Sequence, residues 1–272
     1  MINKFKIVSI EKFETDKSNR EMYDLETEKN HNYFANGILV HNSGTAFRDD
    51  GNDMMINAVT GYKIFDLSSK VLIDKGWLVK PKIIFIKDYM TKEEVKKLEE
   101  ETKTGLINES MDYANYYEKL IHKNPKRNNK ILETFVNNKG KKILILTKLV
   151  EHGKFLNNII RNSKHLYGAT PKEEREQIMK EFKGDELNVL ISTISIFSEG
   201  IDIPSLDIVI NAAANKGNVK TIQILGRILR KLEGKKEATY YDFIDETKFF
   251  KLASYARKRI LVKEGHDIEF EK

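Results

Sequence analysis

The sequence predicts an α/β protein with a parallel sheet and helices on both faces, preceded by a small all-β segment. From residue 142 onward, short apolar stretches alternate with longer amphipathic ones. This alternation is typical of strands that are buried on both faces and joined by crossover helices. In the first 42 residues, apolar and polar side chains instead alternate at a period of two, as in half-buried strands. The pattern of apolar and polar residues changes at residue 43, which separates the two units.

The N-terminal segment is predicted to contain short strands and no helix. Apolar and polar residues alternate over 4–13 and more loosely over 21–26. The apolar stretches 33–35 and 38–40 flank Asn36-Gly37. Because this dipeptide tolerates the positive φ of a tight turn, we expect a hairpin here.

The larger unit is predicted to begin with helices and then to alternate strands with helices. Pro125 marks a new helix start within the second long helical stretch. The final stretch, 249–272, is predicted to be a basic helix and tail that either packs on the sheet or touches nucleic acid. The expected helices are 62–78, 91–104, 110–138, 149–160, 171–182 and 218–230, and the expected strands are 82–86, 142–147, 163–167, 188–192, 206–211 and 238–244. The expected domain boundaries are 1–42, 43–80, 81–255 and 256–272.

The charge is distributed unevenly along the chain. The 272 residues carry 47 Lys or Arg and 41 Asp or Glu, a formal net charge of +6. Residues 1–42 contain 6 basic and 7 acidic side chains, so the remaining 41 basic and 34 acidic side chains give a net +7 after residue 42. This modest basic excess permits a polyanionic partner.

The composition excludes several classes of protein. The chain has no cysteine, which excludes disulfides and cysteine zinc sites. The four histidines outside the N-terminal segment show no metal-ligand spacing, so no metal site is expected; they are His122, His152, His165 and His266. No apolar stretch approaches the roughly 18 residues of a membrane span, and no signal peptide stands at the N-terminus. We therefore expect a soluble cytoplasmic protein.

The string YDLETEKNHNYFANGILVHNS, residues 23–43, contains five features in a fixed order. They are an aromatic-Asp-Leu strand, a His-Asn-aromatic triplet, the Asn-Gly turn, a terminal His-Asn, and a following Ser. This order resembles the last two sequence blocks of inteins. The resemblance implies that residues 1–42 are a C-terminal intein fragment of the Hint type and that the splice point is Asn42–Ser43.

The resemblance assigns a role to each residue type. Asn42 would attack its own backbone carbonyl, forming a succinimide and breaking the bond to Ser43. Before that step, Ser43 would receive the upstream segment as an ester. His41 would protonate the leaving nitrogen or polarise the carbonyl, because imidazole titrates near neutral pH. His31 would orient or activate the attacking amide, and Asp24 would assist the transfer. No cofactor is expected for splicing.

Residues 1–42 are far shorter than a whole intein and lack the block that carries the N-terminal nucleophile. The resemblance therefore implies a split intein, in which a separate polypeptide carries the N-terminal intein fragment. A contiguous intein that had been truncated would give the same sequence.

The residues after Asn42 resemble the second RecA-like domain of a superfamily 2 helicase. Ser43, Gly44 and Thr45 resemble motif III, which couples the ATP site to the nucleic-acid track. The segment 141–156 matches motif IV, 192–210 matches motif V and 223–231 matches motif VI, Q-x-x-G-R-x-x-R. Between motifs IV and V, Gly168 and Thr170 would approach the nucleic-acid backbone.

Motif VI has a direct physical interpretation. Arg227 and Arg230 are three residues apart, so on a helix they project from one side. Two guanidinium groups can then clamp a γ-phosphate during hydrolysis, and Gln223 would sense the nucleotide or bridge to motif III. An ordinary solvated basic face would present the same arginines.

Motif V is expected to contribute to both ligands. Gly200 would permit a turn, and Asp202 would then accept a hydrogen bond from a ribose hydroxyl. Thr193 would contact nucleic acid. The seven-residue spacing from Thr193 to Gly200 resembles UvsW and XPB-type helicases more than the DEAD-box group, which favours DNA over RNA as the substrate.

Together these resemblances imply a precursor for protein trans-splicing. Its product would be an ATP-dependent helicase. Upstream of motif III, where a helicase carries them, the sequence contains neither a G-x-x-x-x-G-K-[ST] loop nor an Asp-Glu pair for Mg²⁺. ATP and Mg²⁺ are therefore expected only after joining to a separate polypeptide that carries the first RecA-like domain. Two alternatives remain open: a subunit that completes a helicase ATP site without covalent joining, and a nucleic-acid-binding module with a decayed intein relic.

Overall fold

The computed structural model describes residues 32–35, 38–41, 69–102, 109–184, 186–198, 203–247 and 249–271. The chain divides into two compact units, Met1–Gly44 and Thr45–Lys272. In the smaller unit, strand β1 (Asn32–Ala35) pairs antiparallel with β2 (Ile38–His41), and Ala35 lies opposite Ile38. This is the predicted hairpin around Asn36-Gly37. The strands expected over 4–13 and 21–26 lie outside the described residues.

The larger unit is built on a parallel sheet. Its described strands lie in the order β5-β6-β4-β7-β8-β3-β9 and all pair in parallel. The strands are β3 (Lys80–Ile86), β4 (Ile143–Thr147), β5 (Ser163–Leu166), β6 (Val189–Thr193), β7 (Ile208–Asn211), β8 (Glu237–Phe243) and β9 (Ile268–Glu271). The helices are α1 (Ser69–Asp74), α2 (Lys92–Thr102), α3 (Glu109–Tyr117), α4 (Pro125–Asn137), α5 (Val150–Ile159), α6 (Lys172–Lys183), α7 (Ile194–Ser198), α8 (Asn218–Ile228) and α9 (Phe250–Lys263), with a π-helical turn at Glu118–His122.

Two hydrophobic layers cover the two faces of the sheet. In β4, Leu144 and Leu146 belong to a core shared with α6, α8 and α9, whereas Ile143 and Ile145 belong to a core shared with α4 and α5. All four side chains are fully buried. Burial of each aliphatic side chain of this size contributes roughly 1.5–3 kcal/mol. The predicted parallel sheet with helices on both faces is confirmed.

The C-terminal stretch differs from the predicted helix and tail. Helix α9 buries five side chains, including that of Arg257, and the expected boundary between residues 255 and 256 lies within it. Strand β9 then pairs with β3, placing Ile268 opposite Ile83. Four residues at a sheet edge give too short a pattern to detect in sequence. The helix therefore packs on the sheet, which is one of the two expected arrangements, and the tail forms an edge strand.

The motif VI helix ends earlier than expected. Residues 218–230 are predicted to be helical, but α8 ends at Ile228. Beyond it, the Leu229 carbonyl accepts from the Val79 amide at 2.9 Å, and Arg230 forms an isolated antiparallel bridge with Leu78. These contacts draw the backbone out of the helix.

Within the described part of the chain, no helix combines the length and apolar character that a membrane crossing requires.

A buried histidine joins α4 to α5. His152 is fully buried, and its Nε2 atom lies 2.9 Å from the Asn128 Oδ1 atom. Its ring lies 5.3 Å from the ring of His122. Burial, together with the charges of Arg127 and His122, lowers the pKa of His152 to about 3. The folded protein therefore keeps this imidazole neutral in mildly acidic solution.

This histidine predicts an acid-sensitive fold. The unfolded chain takes up a proton at His152 near pH 6.5, whereas the folded chain does so only near pH 3. Stability is therefore fully present above about pH 6.5 and falls as the pH decreases toward 3, by up to about 1.4 kcal/mol per unit. When the pH is lowered from 6.5 to 4.5, we expect the free energy of unfolding of His152→Gln to fall by about 2 kcal/mol less than that of the unmodified chain. Urea unfolding followed by circular dichroism measures both, and equal losses would contradict the prediction.

Candidate functional site

The carboxyl ends of four neighbouring strands form one edge of the sheet. The strand order is β5, β6, β4 and β7, and Thr147 at the end of β4 lies opposite Thr193 at the end of β6. Ligands of parallel α/β sheets bind outside this edge. The loops that follow these strands are therefore the candidate site.

The loop after β5 contains two of the predicted nucleic-acid residues. Gly168 is exposed, and a Cβ atom there would meet no atom within 4 Å, so packing within the chain does not require a glycine. Thr170 is buried, and its hydroxyl accepts from the Tyr167 amide at 3.1 Å. A threonine hydroxyl that accepts in this way can still donate to a phosphate oxygen. The turn therefore places the exposed Gly168 backbone beside the Thr170 hydroxyl, which can donate a hydrogen bond.

The loop after β6 begins with the third predicted nucleic-acid residue. Thr193 is buried, and its hydroxyl oxygen accepts from the Ser195 hydroxyl at 3.3 Å. The short helix α7, which was not predicted, starts directly after it. Thr193 therefore lies where motif V is expected to reach the edge of the sheet.

Motifs V and VI contact each other through Arg227. Its guanidinium donates from Nη1 to the Phe197 carbonyl oxygen and lies 5.4 Å from the centre of the Phe197 ring. Phe197 is buried in α7, while Arg227 and Gln223 on α8 are partly exposed. Arg230 is also partly exposed, beyond the end of the helix. The structure therefore fixes one side of the Arg227 guanidinium against motif V.

A buried ion pair that the sequence did not reveal holds the loop that leads into α8. Arg257 and Asp242 are fully buried, and the guanidinium meets the carboxylate in a bidentate pair of 2.8 and 2.9 Å. The same guanidinium donates to the Asn215 carbonyl at 2.6 Å. Asn211 and Tyr240 also donate to Asp242, at 3.1 and 2.9 Å. Burial lowers the pKa of Arg257, but the charge and hydrogen bonds of Asp242 outweigh it and raise the pKa overall.

A second buried pair lies at the end of β8. Arg127 donates from Nε to Asp245 at 2.8 Å and from Nη1 to the Ala212 carbonyl at 3.0 Å. Tyr89 donates to the same carboxylate at 2.6 Å. Burial and the Asp245 charge raise the pKa of Tyr89 well above its usual value, so the phenol stays protonated. A carboxylate directly after a predicted buried strand was the one sequence signal for this pair.

Most of the predicted splicing residues lie outside the described ranges. His41 is the exception, and it is the last residue of β2. Within the described ranges, no three His, Cys, Asp or Glu side chains are grouped as metal ligands would be. The residues that lie outside the described ranges are Asp24, His31, Asn42, Ser43, Gly44, Thr45, Gly200 and Asp202.

Comparison with known proteins identifies the region that contains these loops. Residues 126–231 match the family model described as the helicase conserved C-terminal domain. This region is therefore similar to the C-terminal domain of helicases. The matched region includes β4 to β7 and α8, and therefore Gly168, Thr170 and Thr193 together with all of motif VI.

Similar proteins are named as helicases. Helicase 22 of Sulfolobus islandicus filamentous virus (isolate Iceland/Hveragerdi) is 26% identical over 243 residues, which cover 86% of this chain and 42% of that protein. ATP-dependent helicase IRC3 of Saccharomyces cerevisiae (strain ATCC 204508 / S288c) is 26% identical over 208 residues, which cover 74% of this chain and 28% of that protein. The chain thus spans less than half the length of these two relatives.

A solved structure shares the fold. The fragment structure of an HsdR subunit of a type I restriction enzyme from Vibrio vulnificus YJ016 has a TM-score of 0.55 and 18% sequence identity. The match covers 83% of this chain and 42% of that one. At this identity the likeness concerns the fold alone, and it supports the RecA-like description of the sheet.

Proposed function

We propose that this chain supplies the second RecA-like domain of an ATP-dependent superfamily 2 helicase. The observation that carries the proposal is the position of motif VI within the region that matches the helicase family model. Gln223 and Arg227 lie on α8, Arg230 follows it, and the Arg227 guanidinium is anchored on motif V. A residue of an ordinary solvated face would have no such anchor.

The two arginines fit the chemistry of a nucleotide phosphate. A guanidinium presents five donors in a plane, so Arg227 can contact the Phe197 carbonyl and still direct other donors elsewhere. ATP bound by a first RecA-like domain would bring its γ-phosphate to Arg227 and Arg230 when the two domains close. Carboxylates for Mg²⁺ and the phosphate-binding loop belong to that first domain in this proposal. ATP hydrolysis would therefore require both halves.

The proposed nucleic-acid track follows the carboxyl edge of the sheet. Gly168 would let a phosphate approach the backbone, and the hydroxyls of Thr170 and Thr193 would donate to phosphate oxygens. The spacing from Thr193 to Gly200 favours DNA as the substrate. Gly200 and Asp202 would complete the contacts to nucleic acid and ATP.

We further propose that residues 1–42 join the two halves by protein splicing. The support is the order of Asp24, His31, His41, Asn42 and Ser43 in the sequence, together with the tight β1–β2 hairpin that ends at His41. A partner polypeptide would carry the first RecA-like domain followed by an N-terminal intein fragment. Its upstream segment would pass to Ser43 as an ester, and cyclisation of Asn42 would release the intein. An oxygen-to-nitrogen acyl shift would then form the peptide bond.

Intact-protein mass spectrometry tests this proposal. This chain is mixed with a polypeptide that carries the first RecA-like domain and an N-terminal intein fragment. We expect a ligated product joined at Ser43 and a released fragment that ends in a succinimide at residue 42. The Asn42→Ala variant should give no ligated product, because an alanine side chain cannot cyclise.

The ATPase rate of the same mixtures separates the alternatives. ATP hydrolysis that appears only with the ligated product supports joining by splicing. Because the ester at Ser43 would form before Asn42 cyclises, mass spectrometry must also show that no ester joins the two chains in the Asn42→Ala mixture. Hydrolysis at the same rate in that mixture, with no ester present, would favour a subunit that completes the ATP site without covalent joining. No ligation and no hydrolysis, with nucleic-acid binding retained, would favour a binding module with a decayed intein relic.

A further inference from the structure

Two loops lie side by side at the amino ends of β7 and β8. The loop 203–207 belongs to motif V and leads into β7, and the loop 229–236 leads from the end of motif VI into β8. The two strands are neighbours in the sheet, and Ile208 lies opposite Thr239. A contact between these loops would join motif V to motif VI at a second point, in addition to the contact between Arg227 and Phe197.

A lysine side chain makes such a contact. The Lys235 ammonium donates to the Ile228 carbonyl at 2.7 Å and to the Pro204 carbonyl at 2.9 Å. Ile228 is the last residue of α8, directly after Arg227 and two residues before Arg230. Pro204 belongs to the loop of motif V. Lys235 therefore connects the end of the motif VI helix to motif V.

The local backbone directs Lys235 toward these carbonyls. The Lys235 amide donates to the Leu232 carbonyl at 3.0 Å, which closes a turn. Gly234 within this turn has a φ of 82°, a conformation that glycine adopts at little cost. Lys235 is half-buried, whereas the neighbouring Lys236 is exposed. The turn thus folds the first of these two lysines back onto α8.

The chemistry of the contact suits an ammonium group. The last carbonyls of a helix have no partner within the helix and carry partial negative charge. An ammonium group has three donors, so it can serve two carbonyls at once. Burial lowers the pKa of Lys235 to about 8, although the charge of Asp207 opposes this shift. The side chain is therefore still mostly protonated at neutral pH.

We infer that Lys235 is a positioning residue for ATP hydrolysis, because it holds the end of α8 against motif V and so determines where Arg227 and Arg230 point. The inference rests on the proposed helicase function. Lys235 would not touch the nucleotide and would act only through the two arginines. Without its contacts the last turn of α8 would be free to move, and a small displacement of a group that stabilises charge costs much of its effect.

Hydrogen–deuterium exchange of the full chain tests the contact itself. Lys235→Met keeps a long side chain but removes the donor. The Leu229 and Arg230 amides donate to carbonyls in the last turn of α8, and we expect them to exchange about 10-fold faster in this variant. The matched control is Lys236→Met, which changes the charge equally at the next residue and should exchange like the unmodified chain. Equal exchange in the two variants would overturn the inference, whatever the ATPase rate.

A steady-state ATPase assay of the joined helicase tests the positioning role. Lys235→Met should lower kcat roughly 10–100-fold. The KM for ATP should change little, because a first RecA-like domain would hold most of the nucleotide. Lys235→Arg keeps a charged donor and should retain most of kcat, and Lys236→Met should leave kcat unchanged. Circular dichroism verifies that each variant is folded.

The outcomes of this assay separate the inference from the proposed function. If Lys235→Met hydrolyses ATP as fast as the unmodified joined protein, the contact does not position motif VI and the inference is wrong. If the unmodified joined protein hydrolyses no ATP, the proposed function fails, and the inference that rests on it fails with it.

A double-mutant cycle distinguishes positioning from a general loss of stability. Because Lys235 would act through the arginines, Lys235→Met should lower kcat by no more than about 3-fold when Arg227 is already alanine. A purely structural role would instead give the same fold-loss of kcat with and without Arg227→Ala. That result would overturn the inference.

Discussion

Replacing Arg227 by alanine in the joined helicase is expected to reduce kcat for ATP hydrolysis by about 10³-fold. The guanidinium would stabilise charge on the γ-phosphoryl group in the transition state, and alanine cannot replace it. ATP binding should change much less, because a first RecA-like domain would hold most of the nucleotide. A steady-state ATPase assay with single-stranded DNA present measures kcat and KM separately.

Two further variants make this result interpretable. Arg227→Lys keeps the charge but loses the planar set of donors that contacts the Phe197 carbonyl and would also reach a phosphate, so most of the activity should still be lost. Arg161 is exposed in the turn after α5, far along the chain from motif VI, and Arg161→Ala should leave kcat unchanged. Equal kcat values for Arg227→Ala and Arg161→Ala would mean that Arg227 only packs against Phe197.

The strands of the sheet could be predicted from the sequence, because burial on both faces requires apolar side chains. In β4 every residue is buried, and the four residues before Thr147 are all aliphatic. The β1–β2 hairpin was predictable for a different reason, since Asn36-Gly37 restricts the turn locally. The end of α8 was not predictable, because the bridge between Leu78 and Arg230 joins residues distant in the chain.

The charged interior could not be foreseen for a related reason. Arg127 and Arg257 look like members of solvated basic helix faces, since a sequence does not show which face turns inward. Both are fully buried, and each meets a carboxylate on β8 or directly after it. Likewise, Tyr113 and Lys148 lie 35 residues apart, and only the packing of α3 beside the end of β4 brings them together.

Replacing Asp242 by alanine is expected to destabilise the larger unit by about 3–5 kcal/mol. The change leaves the fully buried guanidinium of Arg257 without its carboxylate and removes an acceptor from Asn211 and Tyr240. A loss of this size lowers Tm by roughly 10 °C in a domain of this length. Urea unfolding measures the free energy, and differential scanning calorimetry measures Tm.

Surface ion pairs provide the matched control for this prediction. Glu133 pairs with Lys130 at 2.7 Å, but its side chain is 58% exposed, so Glu133→Ala should cost about 0–1 kcal/mol. The double replacement Asp242→Leu with Arg257→Met should cost less than Asp242→Ala, because no buried charge then lacks a partner. If Asp242→Ala costs no more than Glu133→Ala, water reaches Arg257 in the variant. The pair would then not be what fixes the Asn215 carbonyl and the loop that leads to motif VI.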